Sequence, residues 1–80
     1  MEIQIDTKSR LPIIEQITGQ IAALIRSGRF SAGGELPSVH ELADLLQISR
    51  MTTGRAYEQL CKNGLIEKTD KAGHYIVSCR

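Results

Sequence analysis

Only three residues, Gln47-Ile48-Ser49, separate two segments of helical periodicity. Upstream, Val39, Leu42, Ala43 and Leu46 fall on one face of a 3.6-residue period. Downstream, Thr53, Ala56, Tyr57 and Leu60 do the same. So short a connection forces two helices to meet at a steep angle. Each segment carries its own start signal. Ser38-Val39-His40-Glu41 matches the capping box, in which the serine hydroxyl accepts from the Glu41 N–H and the Glu41 carboxylate accepts from the Ser38 N–H. Ser49 is a good N-cap for the second segment, and Asn63-Gly64 stops it. The expected helices are Val39–Leu46 and Arg50–Lys62.

The flanks complete the pattern. A helix beginning near Pro12, with proline at the first helical position, aligns Ile13, Ile14, Ile17, Ile21, Leu24 and Ile25 in one buried stripe. Arg26 falls in its last turn and Gly28 just beyond its end. Residues 29–37 read as a linker, with a turn at Gly33-Gly34 and an extended exit at Leu36-Pro37. Ile3 and Ile5 alternate with polar residues, an extended start. After the third helix, residues 65–68 and 74–77 read as two strands around a polar turn at 69–73. The expected fold is mainly α with a small β-hairpin: three helices plus a wing, a winged helix-turn-helix.

Eighty residues allow one domain with a marginal core and no room for a substrate-sized cleft beside it. No nucleophile–base constellation or glycine-rich phosphate loop is present, so an enzyme is not expected, and neither is a cofactor. His40 and His74 lack ligand-like neighbours, and Cys61 and Cys79 lack ligand spacing, so neither a metal site nor a disulfide is expected. No apolar run is long enough to span a bilayer, and the start Met1-Glu2-Ile3-Gln4-Ile5-Asp6 has no apolar h-region. That argues for the cytoplasm and against a membrane partner.

The formal net charge is +1, but it is unevenly spread. Residues 1–48 carry four basic and six acidic side chains, and residues 49–80 six basic and three acidic. The basic half contains the helix that a helix-turn-helix inserts into the major groove of duplex DNA. With Thr53, Ala56, Tyr57 and Leu60 turned inward, Arg50, Met51, Thr52, Gly54 and Arg55 are left at its outward N-terminal end. Arg50 can donate to guanine O6 and N7 or grip a phosphate, and Thr52 can bond a phosphate or touch a thymine methyl. Met51 shares that turn, although a partly exposed packing residue is the simpler reading of it. Lys68 and Lys71 flank the wing turn, where they can hold phosphates. The same surface, stripped of some cations, can instead serve as a protein-binding or dimerisation module.

Several ordered motifs are specific. Pro12-Ile13-Ile14-Glu15-Gln16-Ile17, Leu36-Pro37-Ser38-Val39-His40-Glu41-Leu42-Ala43, Ile48-Ser49-Arg50-Met51-Thr52, Leu60 through Ile66, and Gly73-His74-Tyr75-Ile76 together resemble the N-terminal domain of GntR-family regulators over residues 3–77. Ile3-Gln4-Ile5-Asp6 and Ala56-Tyr57 lean toward the YtrA-like branch. The resemblance implies sequence-specific binding to operator DNA and transcription regulation, as a dimer on a palindromic site. It implies DNA contacts at Arg50 and Thr52, and extends the candidate set to Arg55, Ser38, His40, Lys71, Gly73 and His74. His40 stands where the family commonly has a DNA-contacting arginine, Gly54 where it usually has the second arginine of the third helix, and Lys71 where the wing has its first glycine. The family carries a C-terminal effector or dimerisation region after the wing. Here the expectation is a single domain over 1–80, with no small-molecule effector within this chain.

Overall fold

The computed structural model describes residues 3–6 and 8–78; Cys79 lies outside the described residues. The chain order is α1 (Ile13–Arg26), α2 (Val39–Leu46), α3 (Arg50–Lys62), β1 (Ile66–Lys68) and β2 (Tyr75–Val77). Both expected strands are one residue shorter at their starts. Pro12 sits at the N-cap rather than the first helical position, with φ −57° and ψ 147°. It introduces α1 all the same, because its fixed φ suits the approach.

Helix ends explain the chain reversals. At α1 the N–H of Arg29 reaches the Leu24 carbonyl (3.1 Å), and that of Gly28 reaches Ile25 (3.2 Å). At α3 Leu65 reaches Leu60 and Gly64 reaches Cys61, both at 3.0 Å. Each is a Schellman closure with glycine in the left-handed position, where a Cβ would be strained. The turn between α2 and α3 uses the same closure, Ile48 N–H to Ala43 at 3.0 Å. There the left-handed residue is Gln47, with φ 56°, the one non-glycine residue with positive φ among the described residues.

The core lies where α1, α2 and the hairpin meet α3. Ile17, Ile21, Leu42, Ala56, Tyr57 and Leu60 are fully buried, and Ile66, Tyr75 and Val77 close the core from the hairpin side. Burying each large apolar side chain contributes ~1.5–3 kcal/mol. The predicted α1 stripe needs one correction. Ile13, Ile14 and Ile25 pack against the core, but Leu24 does not join it. It shares the face of Ile17 but lies only half-buried in the last turns of α1.

The hairpin is antiparallel, pairing Ile66 with Val77, Glu67 with Ile76 and Lys68 with Tyr75. The segment read as a linker supplies a third edge. Glu35 bridges Ile76, the Leu36 N–H reaches the Tyr75 carbonyl (3.0 Å), and the Gly33 N–H reaches Val77 (2.9 Å). The turn at Gly33-Gly34 feeds it, closed by the Gly34 N–H on Ser31 at 2.9 Å. No helix among the described residues is long and apolar enough to cross a membrane.

Candidate nucleic-acid interface

The exposed side of α3 is set by its cap. Ser49 Oγ accepts from the Thr52 N–H (3.1 Å) and lies 2.8 Å from Thr52 Oγ1. Thr53 turns inward and donates its hydroxyl to the Ser49 carbonyl at 3.2 Å. The cap leaves the Arg50 and Met51 N–H groups without a partner among the described residues. No acidic residue stands in this first turn, so the positive end of the helix dipole is uncompensated and favours an anion. Arg50, Met51 and Arg55 are exposed there, and Thr52 is half-buried. Met51 is 68% exposed, which overturns its reading as a packing residue.

Gly54 is half-buried, like Thr52, at the edge of that outward set. A Cβ placed on it would meet Val39 Cγ1 at 4.0 Å, ordinary contact on the side facing α2. The inner stripe holds as expected. Tyr57 lies edge-on to Tyr75, with ring centroids 4.9 Å apart, and donates its hydroxyl to the Pro37 carbonyl at 2.7 Å. Burial pushes its phenol far above the ordinary value, so it remains a donor.

The start of α2 is organised differently. Ser38 is buried, and its hydroxyl accepts from the Glu41 N–H at 3.1 Å. Only half of the expected capping box forms, because Glu41 is exposed and makes no return bond to the Ser38 N–H. The Val39 N–H donates to the Gly73 carbonyl at 2.9 Å, so the wing turn is fastened to α2. His40 is exposed on the outer face, its Nε2 3.2 Å from Asp44 Oδ2. A carboxylate therefore accompanies the imidazole at this position.

Thr69 shapes the wing turn. Its hydroxyl lies 3.2 Å from the His74 carbonyl and 3.3 Å from the Lys71 N–H. Lys68 and Lys71 are exposed, and Gly73 and His74 half-buried. The fold thus gathers Arg50, Met51, Thr52 and Arg55 at one helix tip, Ser38 and His40 at the start of α2, and Lys71, Gly73 and His74 on the turn fastened to it. Sequence reasoning missed the Gly73–Val39 fastening, a backbone bond that leaves no side-chain signal. It also missed the hydroxyl role of Tyr57, for which a phenol at an inward position was the available clue. Among the described residues, no group of three or more His, Cys, Asp and Glu side chains is placed to hold a metal ion.

Comparison with known proteins converges on one group. The model of the bacterial regulatory proteins, gntR family, matches residues 13–76. The HTH-type transcriptional repressor YtrA of Bacillus subtilis is 42% identical over 74 residues, covering 92% of this chain and 57% of the repressor. Among solved structures, YtrA from Sulfolobus acidocaldarius, a GntR-family transcription factor, superposes with a TM-score of 0.87 at 37% identity, over 98% of this chain and 66% of that one. The DNA-binding domain of AraR, solved in complex with operator ORX1, superposes at 0.80 and 22% identity over 96% of both chains, a likeness of fold. The chain spans little more than half the length of the Bacillus repressor.

Proposed function

The chain belongs to the gntR family of bacterial regulatory proteins, and from that premise we propose that it binds duplex DNA sequence-specifically and regulates transcription, as a cytoplasmic, non-enzymatic regulator. The tip of α3 enters the major groove, and the fastened wing lies along the adjacent backbone. One observation carries this reading: α3 presents Arg50, Arg55 and an acid-free first turn to solvent, its Arg50 and Met51 N–H groups without partners among the described residues, while its opposite face is fully buried. Arg50 is the leading candidate for a guanine edge or a phosphate, with Thr52, Met51 and Arg55 beside it. His40, Lys71 and His74 supply flanking contacts. Ser38 and Gly73 act by holding α2 and the wing in place. As a dimer on a palindrome, two such helices would stand ~34 Å apart.

The test is selection from a random duplex pool, followed by titration of the selected duplex at two salt concentrations. The expected result is one enriched motif, binding that weakens steeply with salt, and an Arg50→Ala variant that folds normally but binds ~1–3 kcal/mol more weakly. No enrichment and negligible duplex affinity at low salt would overturn the reading in favour of a protein partner.

A further inference from the structure

Among the exposed large apolar side chains of the described residues, Met51 stands furthest out at 68%, ahead of Leu45 at 62% and Leu11 at 48%. It occupies the second position of α3, inside the surface assigned above to the major groove. Its neighbour narrows what this turn can do. The Thr52 hydroxyl shares a hydrogen bond with Ser49 Oγ at 2.8 Å and the Thr52 N–H is capped by the same oxygen, which fixes the side chain at the cap; its methyl is its apolar part. The helix tip therefore offers two kinds of chemistry, the guanidinium groups of Arg50 and Arg55 and an apolar surface made by Met51 with the Thr52 methyl.

A thioether has no donor and only a weak acceptor, so Met51 cannot read a base edge through hydrogen bonds. It is flexible and polarisable, suited to close contact with another apolar group. The major-groove edges of unmodified DNA present one such group, the C5-methyl of thymine. We propose that Met51 is a specificity-determining residue that reads a thymine methyl in the operator, beside the position read by Arg50. The inference rests on the DNA-binding reading above. It adds a preference for thymine over uracil or cytosine at one position of each half-site, set by a contact that salt does not screen.

The experiment uses the duplex obtained by selection, resynthesised with deoxyuridine replacing each thymine in turn. Deoxyuridine pairs identically and removes only the methyl. For the wild type, one substitution per half-site should weaken binding about three- to fourfold, the effect of one methyl group withdrawn from an apolar contact. In Met51→Ala that penalty should vanish, with the thermal melt unchanged because the side chain is exposed. Three results would overturn the inference: no deoxyuridine penalty in the wild type, the same penalty in Met51→Ala, or a penalty that survives in Met51→Ala and disappears in Thr52→Ser. If Met51→Ala weakens binding of a protein partner while leaving the uracil series unchanged, the residue belongs to a protein interface instead. Failure to select any duplex removes the DNA-binding reading itself, whereas a selected duplex blind to uracil removes only the thymine contact.

Discussion

Helices α2 and α3 both begin at a serine whose hydroxyl caps the third N–H of the helix, yet their N-termini do opposite things. At α2 the cap is buried, the first N–H is taken by the Gly73 carbonyl, and Glu41 sits in the first turn. The end is compensated by an acid and fastened to the wing, although His40 and Glu41 themselves face solvent. At α3 the cap is exposed, the first two N–H groups lack partners among the described residues, and no acid is present. One positive helix end is spent on holding the wing, and the other is kept for a ligand. The difference shows that a cap motif alone does not say whether a helix terminus is structural or functional. Its neighbours decide.

Four substitutions separate the two ends, taken from the largest expected effect to the smallest. Thr52→Glu completes a capping box at α3 and places an anion on its open end. Folding should gain ~0.3–1 kcal/mol, read as a higher melting temperature. Duplex affinity should fall by several kcal/mol in a binding titration, through like-charge repulsion, on the order of 100-fold or more. Undiminished binding would mean that the open end of α3 is not the contact. Ser38→Ala should destabilise by up to ~2 kcal/mol in a urea melt, and more than Ser49→Ala, because the N–H it orphans is less exposed to water. Equal losses would erase the distinction between the fastened and open ends. Tyr57→Phe strips the Pro37 carbonyl of its partner at the entry to α2 and should lower stability by ~1 kcal/mol without changing the position of Arg50. Its selected motif should match that of the wild type. Gly54→Ala has room at 4.0 Å from Val39 and an ordinary helical backbone, so it should stabilise α3 by up to ~1 kcal/mol, visible as a small rise in melting temperature.

Much of this was legible from side-chain spacing. The inward stripe of α3, both serine caps and the glycine-closed ends of α1 and α3 follow from local periodicity and local hydrogen bonds, which depend on residues a few positions apart. What stayed hidden depends on distant pairing. Residues 33–36 show no strand-like alternation, because Gly33 and Gly34 lack side chains, and they join the sheet only through β2, some forty residues later. The αL position at Gln47 carries no compositional mark at all. The candidate site was named from residue type and resemblance. The structure sorted it into exposed groups, such as Arg50, Met51 and Lys71, and holding groups, such as Ser38 and Gly73.

Residues 3–6 are held by an arrangement of another kind. The side-chain amide of Gln16 accepts from the Asp6 N–H (2.8 Å) and donates to the Asp6 carbonyl (3.0 Å), and that of Gln20 does the same for Gln4, at 3.0 and 2.6 Å. Two glutamines on α1 thus present to the segment what a neighbouring strand would, one peptide-like group for every second residue. The side chains at 4 and 6 take no part in this pairing; only their backbones do, while Ile3 and Ile5 plug the apolar gaps between. For protein engineering, this makes the leading edge of the domain a socket. A foreign extension could be seated there by keeping Gln16, Gln20 and two alternating apolar residues. Proline at position 4 or 6 would be the one choice the socket rejects outright.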